Sequence, residues 1–128
     1  MEVLSIKGTS ETPEVLMDPQ SGTFKILGRS LPEDVKDFYS PLIKWLEAYA
    51  ATPNSKTVLV VKMDYFNTAS SKMLLEIFEI LKDIHDKGND VCIEWNYLED
   101  DEDMEDAGQD YSEIVEVPFK FVSYQSID

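Results

Sequence analysis

The apolar positions of this chain follow two rhythms. Thr57-Val58-Leu59-Val60-Val61 is a short, nearly unbroken β-branched run, which predicts a strand buried on both faces of a sheet. Further on, Met73, Leu74, Ile77, Leu81 and Ile84 recur at helical spacing, with Lys72, Glu76, Glu79, Lys82, Asp83 and Asp86 on the other side. That pattern predicts an amphipathic helix from about Thr68 to Lys87, closed by Gly88. The stretch from Asp64 to Ser71 reads as the loop between strand and helix.

Upstream, Leu4-Ser5-Ile6, Glu14-Val15-Leu16-Met17 and Thr23-Phe24-Lys25-Ile26-Leu27 read as short extended segments, the last two joined as a hairpin through Asp18-Pro19-Gln20-Ser21-Gly22. Ser30-Leu31-Pro32-Glu33 carries helix-start signals. The helix that follows has an apolar face of Val35, Phe38, Leu42, Trp45, Leu46 and Tyr49, with Pro41 expected to kink or split it. Downstream, Val91-Cys92-Ile93-Glu94-Trp95 predicts a strand, Met104, Ala107 and Tyr111 allow a short helix, and Pro118-Phe119-Lys120-Phe121-Val122 supplies a final strand. An N-terminal β portion followed by alternating helices and strands predicts one α/β domain over residues 1–128: a mixed sheet with an N-terminal hairpin portion and helices packed on it.

Composition narrows the partners. The chain is 43% hydrophobic and 11% aromatic, enough for a folded globule, yet its net charge is −15. Eleven Lys and Arg scattered among 26 carboxylates exclude nucleic acid as a natural partner and favour proteins with basic patches. A single cysteine, Cys92, allows no disulfide within the chain and suits a reducing compartment. Neither a secretory leader nor an apolar run of about 18 residues is present, so no membrane association and a cytoplasmic location are expected.

Candidate chemistry is sparse. His85, the sole histidine, reads as a solvated or packing residue, not half of a catalytic dyad with distant Cys92. No glycine-rich phosphate loop exists, and no cofactor is implied. Residues 99–106 carry seven carboxylates without the ligand alternation of a calcium loop. They read as a solvated or partner-steering face, the alternative being a metal-binding or acid/base enzyme built on that run. Trp45, Tyr49, Trp95 and Tyr97 read as core or core-edge packing.

The four small polar residues Asn67, Thr68, Ser70 and Ser71 crowd the helix start, where unpaired backbone N–H groups need acceptors. For Thr68 two readings stand: a cap, as in a purely structural interaction subunit, or a hydroxyl that accepts a phosphoryl group and its added negative charge. Tyr65 and Phe66 are either core plugs or part of a docking face.

Several strings resemble the SiaC family of bacterial regulatory phosphoproteins: Thr12-Pro13-Glu14-Val15, Gly28-Arg29-Ser30-Leu31-Pro32-Glu33, Phe38-Tyr39-Ser40-Pro41-Leu42 with Trp45-Leu46, Trp95-Asn96-Tyr97 and Ala107-Gly108-Gln109-Asp110-Tyr111. The most specific is Tyr65-Phe66-Asn67-Thr68-Ala69-Ser70-Ser71-Lys72. The resemblance implies a STAS-like fold, related to anti-sigma-factor antagonists, and a non-enzymatic switch. Thr68 would be phosphorylated by a serine/threonine kinase and cleared by a PP2C-like phosphatase. The unmodified form would bind and activate a diguanylate cyclase, in cyclic di-GMP signalling and biofilm control. Asp64, Tyr65, Phe66, Asn67, Ala69, Ser70, Ser71 and Lys72 are the residues expected around Thr68 to meet the kinase or partner.

Overall fold

A computed structural model describes residues 1–126 of the chain. Strands β1 (Leu4–Ile6), β2 (Glu14–Asp18) and β3 (Thr23–Ser30) precede helix α1 (Val35–Tyr49). Then β4 (Lys56–Phe66), α2 (Thr68–Asp86), β5 (Asp90–Leu98), α3 (Glu102–Val115) and β6 (Phe119–Tyr124) alternate. The strands form one six-stranded sheet in chain order. β1, β2 and β3 pair antiparallel, whereas β3 through β6 pair parallel, each crossing to the next through a helix. Three successive crossovers in the same direction lay the helices side by side, α1 against α2 and α2 against α3.

The core lies between that helical layer and the sheet. Val15, Met17, Phe24, Ile26, Leu59, Val61, Ile93 and Trp95 point into it from successive strands, meeting Leu42, Leu46, Leu74, Ile77, Phe78 and Ile84 from the helices. On the other face Leu16, Leu27, Val58, Val60 and Cys92 are only half-buried, and no helix among the described residues covers them. The central strand is thus buried on one face, not on both as its continuous apolar run suggested. A run of Val and Leu satisfies the core with alternate residues and leaves the others to cover one another across the open face.

Three local expectations also change. The helix-start signals at Ser30–Glu33 do not open a helix. Ser30 ends β3, held there by pairing with Phe66, and α1 begins at Val35 with Asp34 Oδ1 accepting from the Asp37 N–H at 3.0 Å. Pro41 does not split α1: it sits on the exposed side, and the carbonyl deprived of its donor belongs to exposed Asp37. Finally, β4 runs five residues beyond Val61, through what reads as a loop in the sequence, because β3 continues beside it. After an irregularity at Gly28/Arg29, Arg29 faces Tyr65 and Ser30 faces Phe66. The hairpin turn and the glycine stop of α2 stand as expected: Gly88 has φ +100° and donates to the His85 carbonyl at 3.0 Å.

Candidate functional site

Only Asn67 separates β4 from α2, so the hand-over from strand to helix is rigid on both sides. The Asn67 N–H donates to the Ser30 carbonyl at 3.0 Å, and Asn67 Oδ1 accepts from the Ser70 N–H at 2.9 Å. Asn67 is therefore the cap, and Thr68 is the first helical residue. The capping reading of Thr68 does not hold, since the amide two residues before Ala69 already supplies the acceptor.

The hydroxyls that look equivalent in sequence are sorted by the fold. Ser70 is fully buried. Its oxygen accepts from Ser30 Oγ at 2.8 Å and donates to the Ser30 carbonyl at 3.1 Å, while Ser30 Oγ also bonds the Tyr39 hydroxyl. With the one Ser30 proton directed at Ser70, Tyr39 must be the donor to Ser30, which gives a one-way chain across β3, α1 and α2. Burial pushes the Tyr39 phenol up from its ordinary value, and the nearby Ser30 and Ser70 side chains partly offset it. Ser71 is half-buried and donates to the Thr68 carbonyl at 2.7 Å. Thr68 is exposed, and its hydroxyl has no hydrogen-bond partner among the described residues.

Around Thr68, Asp64, Ala69 and Lys72 are exposed, and Tyr65 is 46% exposed with the Arg29 guanidinium 5.6 Å from its ring centroid. Phe66 is half-buried and packs edge-on against Trp95, with ring centroids 6.2 Å apart, so the Tyr65/Phe66 pair divides: one ring outward, one mostly inward. Trp95 and Tyr49 are core, as their type suggested.

The acidic run opens α3. Asp101 caps that helix by accepting from the Met104 N–H at 3.0 Å, and Glu102, Asp103 and Glu105 occupy its first turn, where the positive end of the helix dipole favours them. Among the described residues no three His, Cys, Asp or Glu side chains gather as a metal site. Two bonds, one buried and one partly buried, fix α3 against its neighbours. Trp95 Nε1 donates to the Met104 carbonyl at 2.9 Å, and the Tyr111 hydroxyl donates to the Ser71 carbonyl, one turn into α2, at 2.7 Å. Burial raises the Tyr111 phenol well above its usual range, opposed in smaller measure by the Ser71 side chain.

At the opposite end of the parallel strands, His85 and Cys92, seven residues apart in sequence, line one shallow hollow of about 230 Å³. Burial, then the neighbouring Glu94, raises the Cys92 thiol, which disfavours the thiolate a nucleophile needs.

Sequence reasoning missed Ser30 and Tyr39 as the support under the α2 start, and Leu75, Met104 and Ile114 as the walls beside it. A signal for Ser30 existed: Phe24, Ile26 and Ser30 share one parity along β3, the inward one.

Fold and site together define a small α/β module that presents one free hydroxyl at a helix start, on the edge where parallel strands end. Residues 6–124 match the family described as SiaC family regulatory phosphoprotein, and the chain belongs to that family. An uncharacterised protein of Pseudomonas aeruginosa strain UCBPP-PA14 is 29% identical over 119 residues, covering 93% of this chain and 94% of its own. The crystal structure of apo-SiaC from P. aeruginosa is similar with a TM-score of 0.86 at 28% identity, covering 96% of this chain and all of that one. A chain in the crystal structure of the P. aeruginosa diguanylate cyclase SiaD in complex with its activator SiaC gives 0.87 at 27% identity, covering 94% and 99%. No helix among the described residues is long and apolar enough to cross a membrane.

Proposed function

We propose that this chain is a non-enzymatic, cytoplasmic phospho-switch whose unphosphorylated form binds and activates a diguanylate cyclase, and so acts on cyclic di-GMP output and biofilm behaviour. A serine/threonine kinase modifies Thr68, and a PP2C-like phosphatase restores it. The observation that carries this reading is the sorting of hydroxyls: of Thr68, Ser70 and Ser71, Thr68 alone is exposed and free of an internal bond among the described residues. Complex formation between a homologous activator and a diguanylate cyclase supports the choice of client.

The physics of the switch is local. A phosphoryl group on Thr68 adds about −1.5 to −2 charges at the first turn of α2, where unpaired N–H groups and Lys72 receive it without unwinding the helix. The same charge lies close to exposed Tyr65 and to Asp64. Covering a dianion with a partner's apolar surface strips its water without replacing it, and docking is lost.

The test is capture of the diguanylate cyclase encoded by the same organism on immobilised wild type, Thr68→Ala, Thr68→Glu and enzymatically phosphorylated protein. Wild type and Thr68→Ala are expected to retain the cyclase and stimulate it, and the phosphorylated form to lose it by at least tenfold. Equal retention by the phosphorylated protein, verified by mass spectrometry at Thr68, defeats the proposal.

A further inference from the structure

Beside Thr68 the end of β4 and the facing sides of α2 and α3 enclose a groove. It consists of two adjoining hollows of about 290 and 380 Å³ that share Phe66 and Ala107 as floor. Leu75 and Met104 extend that floor, and two large apolar side chains stand out at its ends, Tyr65 at 46% exposure and Ile114 at 60%. The rim is anionic: Asp64, Asp101, Asp103 and Asp110 line it against a single cation, Lys72. Over residues 99–116 there are ten carboxylates and no Lys or Arg.

We infer that this groove seats a cationic amphipathic helix of the protein partner, its apolar face on Phe66, Leu75 and Ala107 and its Lys/Arg flanks against the α3 carboxylates. The inference rests on the partner-binding reading above and names the chemistry of what binds. Two packed helices offer side chains and no open backbone edge, so the groove suits a helix and not an added strand. Its apolar floor calls for an apolar face, and its rim repels any segment that is not positively flanked. A second copy of this chain, itself at −15, fits that rim poorly. Thr68 belongs to the same helical stripe as Ser71, Lys72 and Leu75, the α2 wall of the groove. The carboxylates of residues 99–116 stand on the α3 side, across the groove from the α2 wall that carries Thr68.

Titration of the ¹⁵N-labelled, unphosphorylated full chain with two synthetic helical peptides tests this. The peptides share one leucine face, flanked in the first by Lys and Arg and in the second by Glu. The cationic peptide is expected to shift amides of Phe66, Leu75, Ala107 and Ile114 saturably, and to bind at least tenfold more weakly when salt rises from about 50 to about 500 mM. Ile114→Asp, at an exposed position that leaves the fold intact, should abolish those shifts, and Asp103→Asn with Asp110→Asn should weaken binding severalfold. Equal binding of both peptides, shifts confined to other surfaces, no saturable response to the cationic peptide, or indifference to Ile114→Asp each overturns the inference. The titration involves neither kinase nor phosphate, so its failure beside an intact Thr68 effect on cyclase capture removes the groove alone. Success beside a lost Thr68 effect removes the switch alone.

Discussion

At Ser70 and Thr68 two hydroxyls two residues apart on one helix have opposite fates, and substitution separates them. Ser70→Ala deprives the buried Ser30 hydroxyl of its acceptor and the Ser30 carbonyl of a donor. A cost of roughly 1–3 kcal/mol is expected, read as a lower urea midpoint with unchanged slope. Tyr39→Phe should fall in the same range, because it removes the donor at the head of the same chain. Thr68→Ala, which removes an exposed hydroxyl with no internal partner, should stay within about 0.5 kcal/mol of wild type. A Ser70→Ala protein as stable as wild type would show that the buried chain contributes nothing to holding the α2 start. The sequence showed that a polar cluster stands at this helix start. It did not show which member turns inward, because that depends on Ser30, forty positions away.

At the scale of elements, the site is held by how α2 and α3 are fastened. Asn67→Ala removes the α2 cap and should cost about 0.5–2 kcal/mol. Gly108 is more demanding. A Cβ there would stand 2.5 Å from Trp95 Cδ1, with the ring fixed by its bond to the Met104 carbonyl. Gly108→Ala should therefore cost about 1–3 kcal/mol or more and splay α3 from β5. Thermal unfolding together with near-ultraviolet circular dichroism of the tryptophans measures both effects, and an unchanged melting temperature and spectrum would contradict the packing described. Elements with a strong internal period were legible: α2 falls at Thr68–Asp86 against an expectation of 68 to 87, and the hairpin turn lies where Pro and Gly place it. Boundaries set by a neighbouring strand were not, as β3 and β4 show by prolonging each other past Gly28 and Val61.

Across the whole molecule, burial of phenols gives stability an alkaline limit. Tyr39 and Tyr111 are both raised above the ordinary value of 10.0. Below pH 10 folded and unfolded chains hold those protons alike and the contribution is complete. Above it the unfolded chain releases them while the folded chain retains them, so stability falls as pH rises. Urea unfolding between about pH 8 and pH 11 should show a flat region and then a decline, and Tyr111→Phe should make the decline shallower. The charge distribution acts at the same scale. Ten of the carboxylates behind the net −15 fall within residues 99–116, so the molecule is polarised and not uniformly acidic.

By itself the sequence determined what is local or additive: an α/β alternation, a helix opening at Thr68, a net charge that points to basic partners, and a string specific enough to suggest the family. Tertiary structure decided what depends on distant residues meeting. It buried Ser70 against Ser30 and Tyr39, left Thr68 in solvent, turned a presumed loop into strand, and brought the ends of α2 and α3 together around a groove. The reason is physical: periodicity records which side of an element is apolar, whereas exposure of one hydroxyl is set by partners that only the folded chain brings within bonding distance.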